Sequence, residues 1–175
     1  MGKFKVLFDS PIHEEGMELL RKNNCELMIA SSPTSEEDFL KEAEDVDAII
    51  LRFVGRVTEK IVRGARNLKV IGRHGAGYEN IDVKTATELK IPVVYLPEAN
   101  FETVADHVMG LILAAAHQIT RVNNAVKLHN NWNVRNNKDY FGKDVWRSTL
   151  GLIGFGKIGR AVCKRAKGFD MRVLG

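Results

Sequence analysis

The 175-residue sequence predicts an α/β protein: a parallel sheet with helices on its faces, then the opening of a second α/β unit. Three observations carry that expectation. Short apolar runs alternate with amphipathic helical stretches through the first hundred residues. The runs are continuously apolar rather than alternating, as strands covered on both faces are. Near residue 149 a further apolar run leads into a glycine-rich turn and a helix, and another strand follows.

Phe4 to Phe8 reads as the first strand, after which Ser10 offers an N-cap and Pro11 a first-turn proline for a helix reaching Lys22. Leu27 to Ala30 is the second strand. Either Thr34 with Glu37 or Ser35 with Asp38 has capping-box spacing at the head of a helix running to Glu44. Val46 to Leu51 is a third strand, Thr58 to Ala65 a short helix, and Leu68 to Gly72 a fourth strand. The turn Arg73-His74-Gly75-Ala76-Gly77 follows, then a helix opened by Asp82 and a fifth strand, Ile91 to Tyr95, closed by Pro97.

Glu102 to about Arg121 is the longest helical pattern, with Val104, Val108, Leu111, Ile112 and Ala115 at helical spacing. Residues 122–147 are polar and rich in asparagine, and read as a helix end followed by an irregular excursion. Thr149 to Ile153 is then a strand, Lys157 to Lys167 a helix and Met171 to Leu174 a strand.

Composition excludes several classes. Apolar residues at 45% and charged residues at 27% describe a folded chain rather than a disordered one. The net charge of +4 comes from 26 basic and 22 acidic residues interspersed along the sequence, so nucleic acid is not the expected partner. The most basic stretch, containing Lys157, Arg160, Lys164, Arg165 and Lys167, reads as a solvated helix face. Cys25 and Cys163 lack metal-ligand spacing, and with no signal-like segment a cytoplasmic setting is expected. The run Val108 to Ala116 is well short of the roughly 20 residues that span a bilayer, so no membrane partner is expected.

Two motifs carry chemistry. Gly154-Phe155-Gly156-Lys157-Ile158-Gly159 has GxGxxG spacing between a strand and a helix. Gly154 permits the tight turn, Gly156 lets the backbone approach a pyrophosphate, and Gly159 lets helix and strand pack closely. Free N–H groups and the positive helix end then hold phosphates. The spacing alone is weak, and a purely structural turn is the competing reading; the strand-turn-helix-strand context favours dinucleotide binding. The carboxylate that usually takes the ribose hydroxyls falls about 20 residues on, at or past Gly175, and Asp170 stands at the wrong end of its strand. Gly75-Ala76-Gly77 is the second motif, a turn whose backbone N–H groups suit a carboxylate; read alone, it is equally a plain loop.

Asn67 to Asp82 (NLKVIGRHGAGYENID), Ile91-Pro-Val-Val, Asn100 with Val104-Ala-Asp-His107, and the glycine-rich turn together resemble the D-isomer-specific 2-hydroxyacid dehydrogenases, most closely the phosphoglycerate dehydrogenase-like branch. The likeness spans nearly the whole chain. It implies a flavodoxin-like substrate domain over residues 1–99 and the N-terminal portion of a Rossmann NAD-binding domain over residues 100–175. It further implies that Ala76 and Gly77 bind the substrate carboxylate, with Asn100 at the hinge near the substrate and Thr103 near the cofactor. Gly154, Phe155, Gly156, Lys157, Ile158 and Gly159 would meet NAD. Arg52 and Arg73, at strand ends, could grip a phosphate-bearing acid with a planar fork, or be ordinary surface arginines. Glu79, where the family more often has aspartate, is expected to affect loop packing only.

The resemblance also implies hydride transfer between a 2-hydroxy and a 2-oxo acid, with a homodimer as the assembly. The family's catalytic arginine, glutamate and histidine are expected past Gly175, so the chain is expected to be truncated within the Rossmann domain and inactive alone. No catalytic residue is therefore assigned. His13, His107, His117 and His129 read as solvated or core-edge residues, and His74, on the substrate turn, lacks a visible carboxylate partner. The other reading is a non-catalytic carboxylate- or nucleotide-binding remnant acting through dimerisation.

Overall fold

The computed structural model describes residues 2–175, which divide into two units, the first ending at Ala99 and the second running Asn100–Gly175. In the first unit β1 (Phe4–Phe8), β2 (Cys25–Ile29), β3 (Ala48–Leu51), β4 (Val70–Arg73) and β5 (Val93–Val94) form one sheet in the order β2-β1-β3-β4-β5. Every pairing is parallel. This is the flavodoxin-like order, in which the strand sequence reverses between β1 and β3.

Period-two alternation sorts the side chains. Leu7, Ile49, Leu51 and Ile71 point to one face, where Phe39 and Ala43 of α2 (Glu36–Ala43), Ile61 and Val62 of α3 (Glu59–Gly64) and Ala86 of α4 (Val83–Glu88) cover them. Val6 and Phe8 point to the other face and meet Met17 of α1 (Glu14–Lys22). Burial of each large apolar side chain contributes about 1.5–3 kcal/mol, so the first face dominates the stability of this unit.

Two caps behave as expected and one does not. Ser35 accepts from the Asp38 amide at 3.4 Å, which selects the second of the two capping alternatives. Asp82 caps α4 through the Thr85 amide at 3.2 Å. The expected Ser10 cap is absent: α1 starts later, behind His13, whose Nδ1 accepts from the Glu15 amide at 3.3 Å. The reason is competition. Ser10 donates its hydroxyl to Asp9 at 3.1 Å, which turns its side chain toward the strand end, and the Pro11 carbonyl accepts from Arg52 at 2.5 Å in place of a helix amide.

In the second unit the single long helix expected over 102–121 is instead two, α5 (Phe101–Ala116) and α6 (Ile119–His129). Gln118 adopts a left-handed φ of 51° between them, and the segment around Gly142 closes the end of α5. Lys143 donates its amide to the Ala116 carbonyl at 2.7 Å, and Gln118 Nε2 donates to Phe141 at 2.6 Å. The expected irregular region therefore begins only after Asn130, and it contains two 3-10 turns, Trp132–Asn136 and Lys138–Tyr140.

Strands β6 (Thr149–Gly151) and β7 (Arg172–Leu174) then pair in parallel, joined through α7 (Lys157–Ala166). Ala105 and Met109 of α5 pack against Ala161 and Val162 of α7. Arg165 is not the solvated residue expected from its charge run. Its Nε donates to Asp106 and its Nη1 to Glu102, each at 2.6 Å, which ties α7 to α5. No helix among the described residues is long and apolar enough to cross a membrane.

Candidate functional site

Each unit carries one glycine turn at the carboxyl end of a parallel strand, the position at which sheets of this kind bind ligands. In the first unit β4 delivers the chain into Gly75, whose φ of +153° few side chains tolerate. Three backbone bonds hold the turn. Gly75 donates to Arg73 at 2.9 Å, His74 donates to Leu51 at 2.8 Å, and Leu96 donates to Gly75 at 2.9 Å. Beside it Tyr78 and Tyr95 meet edge to face, with ring centroids 5.0 Å apart. Among the described residues, the amides of Ala76 and Gly77 donate to no protein acceptor. Two adjacent unpaired N–H groups are what a carboxylate needs.

The neighbouring side chains are less open than the sequence suggests. Arg73 does not hold its fork out for a phosphate. Its Nε donates to the Gly77 carbonyl at 2.6 Å, and its Nη1 donates to the Leu51 carbonyl at 3.2 Å and to that of Arg52. The Arg52 guanidinium donates to Pro11 and stacks 4.3 Å from the centre of the Phe53 ring. The Glu79 carboxylate lies over Gly77, where a Cβ would meet it at 2.6 Å. His74 is exposed, and its ring has no hydrogen-bond partner in the described residues.

A residue that the sequence pattern does not single out organises this region. Asp9, at the carboxyl end of β1, is 3% exposed. One of its oxygens accepts from the amides of Phe53, Val54 and Gly55 at 2.9, 3.0 and 2.9 Å, and the other from Arg52 at 2.7 Å. Burial pushes its carboxyl up, but the amides of Gly55, Arg52 and Phe53 and the Ser10 hydroxyl outweigh that and leave the pKa below the ordinary carboxylate value. The one available signal was a lone aspartate directly after an apolar strand. Nothing in the sequence tells that it turns inward to collect amides some 43 positions away.

In the second unit the three motif glycines behave differently from one another. Gly154 sits at φ +97°, reserved for glycine. Gly156 caps α7 from an extended conformation with no side-chain cap, and a Cβ there would meet nothing within 4 Å. Gly159 is needed for contact, since a Cβ there would lie 2.5 Å from the Gly154 carbonyl oxygen. An uncapped helix start beneath an open backbone cradle fits a dinucleotide pyrophosphate, so the residues present are compatible with that group. Asp170 precedes β7 and accepts from Trp146 Nε1 at 2.9 Å, consistent with its being at the wrong end for a ribose.

Asn100 and Thr103 stand at the start of α5, both exposed. The Asn100 side chain makes no cap bond, while its carbonyl accepts from Val104 at 2.9 Å.

Residues 6–169 match the model of the D-isomer specific 2-hydroxyacid dehydrogenase, catalytic domain. The chain belongs to that family. It is 40% identical over 171 residues to the D-3-phosphoglycerate dehydrogenase of Methanocaldococcus jannaschii, an alignment covering 98% of this chain and 32% of the relative. Among solved structures, the TT0316 protein of Thermus thermophilus is similar with a TM-score of 0.88 and 29% identity, covering 97% of this chain and 55% of that one. The D-lactate dehydrogenase of Aquifex aeolicus, solved with NAD and lactic acid, shares the fold at a TM-score of 0.81 and 24% identity, covering 97% and 50%. The chain thus spans about a third to a half of the length of these relatives.

Proposed function

We propose that this chain carries the acid-binding turn and the first dinucleotide-binding turn of an NAD-dependent 2-hydroxyacid dehydrogenase, which interconverts a 2-hydroxy and a 2-oxo acid by hydride transfer. The observation that carries the reading is the pair of unpaired amides at Ala76 and Gly77, in a chain that also has the cradle at Gly154 to Gly159. The amides hold the acid's carboxylate, Arg52, just past the end of β3, supplies positive charge to the acid, and Asn100, at the start of α5, serves as a further substrate contact. The resemblance to the phosphoglycerate branch favours an acid bearing a phosphate. Thr103 and the backbone from Gly154 to Gly159 hold the dinucleotide, whose nicotinamide, when bound, accepts or supplies the hydride. Residues 1–99 act as the substrate domain and residues 100–175 as part of the cofactor domain.

Proton exchange with the substrate oxygen calls for a positioned acid–base group, which the family resemblance implies is a histidine tuned by a carboxylate. Among the described residues no histidine ring is hydrogen-bonded to a carboxylate, so residues 1–175 alone are expected to bind without turnover. Leu111 on α5, Ile119 and Leu128 on α6 and Trp132 after it are exposed apolar side chains, and a second copy of the chain is the proposed partner for this region.

Gly156→Val tests the dinucleotide half directly. The position is open and its φ of −75° suits valine, so the variant should still fold, at a cost of about 1 kcal/mol because valine is a poorer N-cap than glycine, while the side chain fills the pyrophosphate approach. Calorimetric titration with NADH should show binding to the unaltered chain and loss of it in the variant. Equal binding by both, or none by either, would sink the assignment.

A further inference from the structure

Asp9 and Thr85 are the only buried polar side chains among the described residues, and Asp9 has no part in the proposed binding steps. It occupies a telling place. Four successive amides, Arg52 to Gly55, converge on its carboxylate at the point between β1 and β3 where the strand order reverses. A sheet of this order usually offers that crevice, and such a run of amides, to an external anion. Here the protein fills it with its own. Gly55 is required for the approach, because a Cβ there would lie 2.7 Å from the Asp9 Cβ and 2.9 Å from Leu51 Cδ2.

The same loop is gripped from its carbonyl side. Arg73, leaving β4, donates to the carbonyls of Leu51 and Arg52 through Nη1 and to that of Gly77 through Nε. Asn80 adds a bond to the Gly55 carbonyl at 2.7 Å. The carboxylate therefore fixes where the loop lies, and the guanidinium carries that position across to the peptide plane after Gly77. Gly77 has no side chain to restrict its own dihedrals, so an outside contact has to set them.

Resting on the reading that Ala76 and Gly77 hold the acid, we infer that Asp9 and Arg73 are positioning residues that clamp the loop 51–55 against the acid-binding turn. Arg73 acts through its fork geometry and not as a charge offered to the substrate. This assigns it a role different from that of Arg52, although both are arginines at strand ends.

The test uses the full 175-residue chain and its Asp9→Asn, Arg73→Lys and Arg73→Gln variants, titrated with glyoxylate and with pyruvate while backbone amide resonances are followed. Asparagine presents one oxygen where aspartate presents two, so at least one of the four amides loses its acceptor. Lysine keeps the charge of Arg73 but cannot reach three carbonyls at once. The expected result is acid binding about tenfold or more weaker in all three variants, with Arg73→Lys as impaired as Arg73→Gln. The amides of Arg52 and Gly77 should move, and those of Gly154 and Gly156 should not.

Rescue by Arg73→Lys would overturn the positioning role and restore a direct one. Unchanged affinity in folded Asp9→Asn and Arg73→Gln would overturn the clamp. Should Asp9→Asn fail to fold, the two Arg73 variants decide. If the unaltered chain binds neither acid, the reading of the turn itself fails and the inference falls with it.

Discussion

Replacing Gly159 with alanine pits two opposing effects against each other. The new Cβ would lie 2.5 Å from the Gly154 carbonyl oxygen and 3.4 Å from its carbonyl carbon, and both are backbone atoms that no rotamer change can move aside. The first contact is nearly an ångström short of an ordinary van der Waals distance, so α7 must shift off the turn, taking the buried Ala161 and Val162 with it. Overpacking of this kind costs about 1–3 kcal/mol. Against it, alanine is a better helix former than glycine by about 1 kcal/mol in a helix interior, and by less in the first turn. The variant should therefore lose about 0.5–2.5 kcal/mol, read as a lower urea midpoint at unchanged slope. It should also bind NADH about tenfold or more weakly, since the shift moves the helix start away from the cradle. Gly110→Ala is the comparison, because that position lies within α5 and a Cβ there meets nothing within 4 Å. At concentrations where the chain is monomeric it should gain about 0.5–1 kcal/mol. A Gly159→Ala protein as stable as the original, with equal affinity for NADH, would refute the close-packing argument.

Two further outcomes are expected. Asp9 has a folded pKa below its unfolded value, so its contribution is present above the unfolded value and is lost as pH falls through the folded one. Asp47, lowered by its bonds to the Lys69 side chain and the Lys5 amide, acts in the same sense. Stability measured by urea unfolding should fall below about pH 4, and Asp9→Asn should flatten that fall; an unchanged pH profile would contradict it. Arg165→Ala should lower the urea midpoint of the second unit, and by more at low salt than at high, because its guanidinium is the polar tie between α7 and α5 while Glu102 and Asp106 are well exposed and solvent screens the gain. If the loss is absent at low salt, the tie contributes nothing.

Much of the fold was legible because it depends on local pattern. Phe4 to Phe8 and Val46 to Leu51 are rich in apolar residues, and Asp82 announces its helix by its own side chain. The glycine spacing at Gly154, Gly156 and Gly159 was readable for the same reason, Gly154 serving a local φ and Gly159 a close contact, whereas nothing within the fold crowds Gly156. What escaped depends on partners distant in sequence. Ser10 and Pro11 look like a helix start, yet Asp9 and Arg52 claim them, and neither claim leaves a mark in the local sequence. The break at Gln118 is imposed by Gly142 and Lys143, whose positions no periodicity reveals. Arg73 reads as a phosphate ligand or an ordinary surface arginine by type and place, and only the directions of the Leu51, Arg52 and Gly77 carbonyls give it another task.

The central claim is that two separate backbone turns divide the binding between them. Amide resonances of the chain, followed while NADH and then a 2-oxo acid are added, test it most directly. NADH should move Gly154, Gly156 and Ile158 and leave Gly77 in place, and the acid should move Ala76 and Gly77. Perturbation of Gly75 to Gly77 by neither ligand, or of the Gly154 turn by the acid alone, would contradict it.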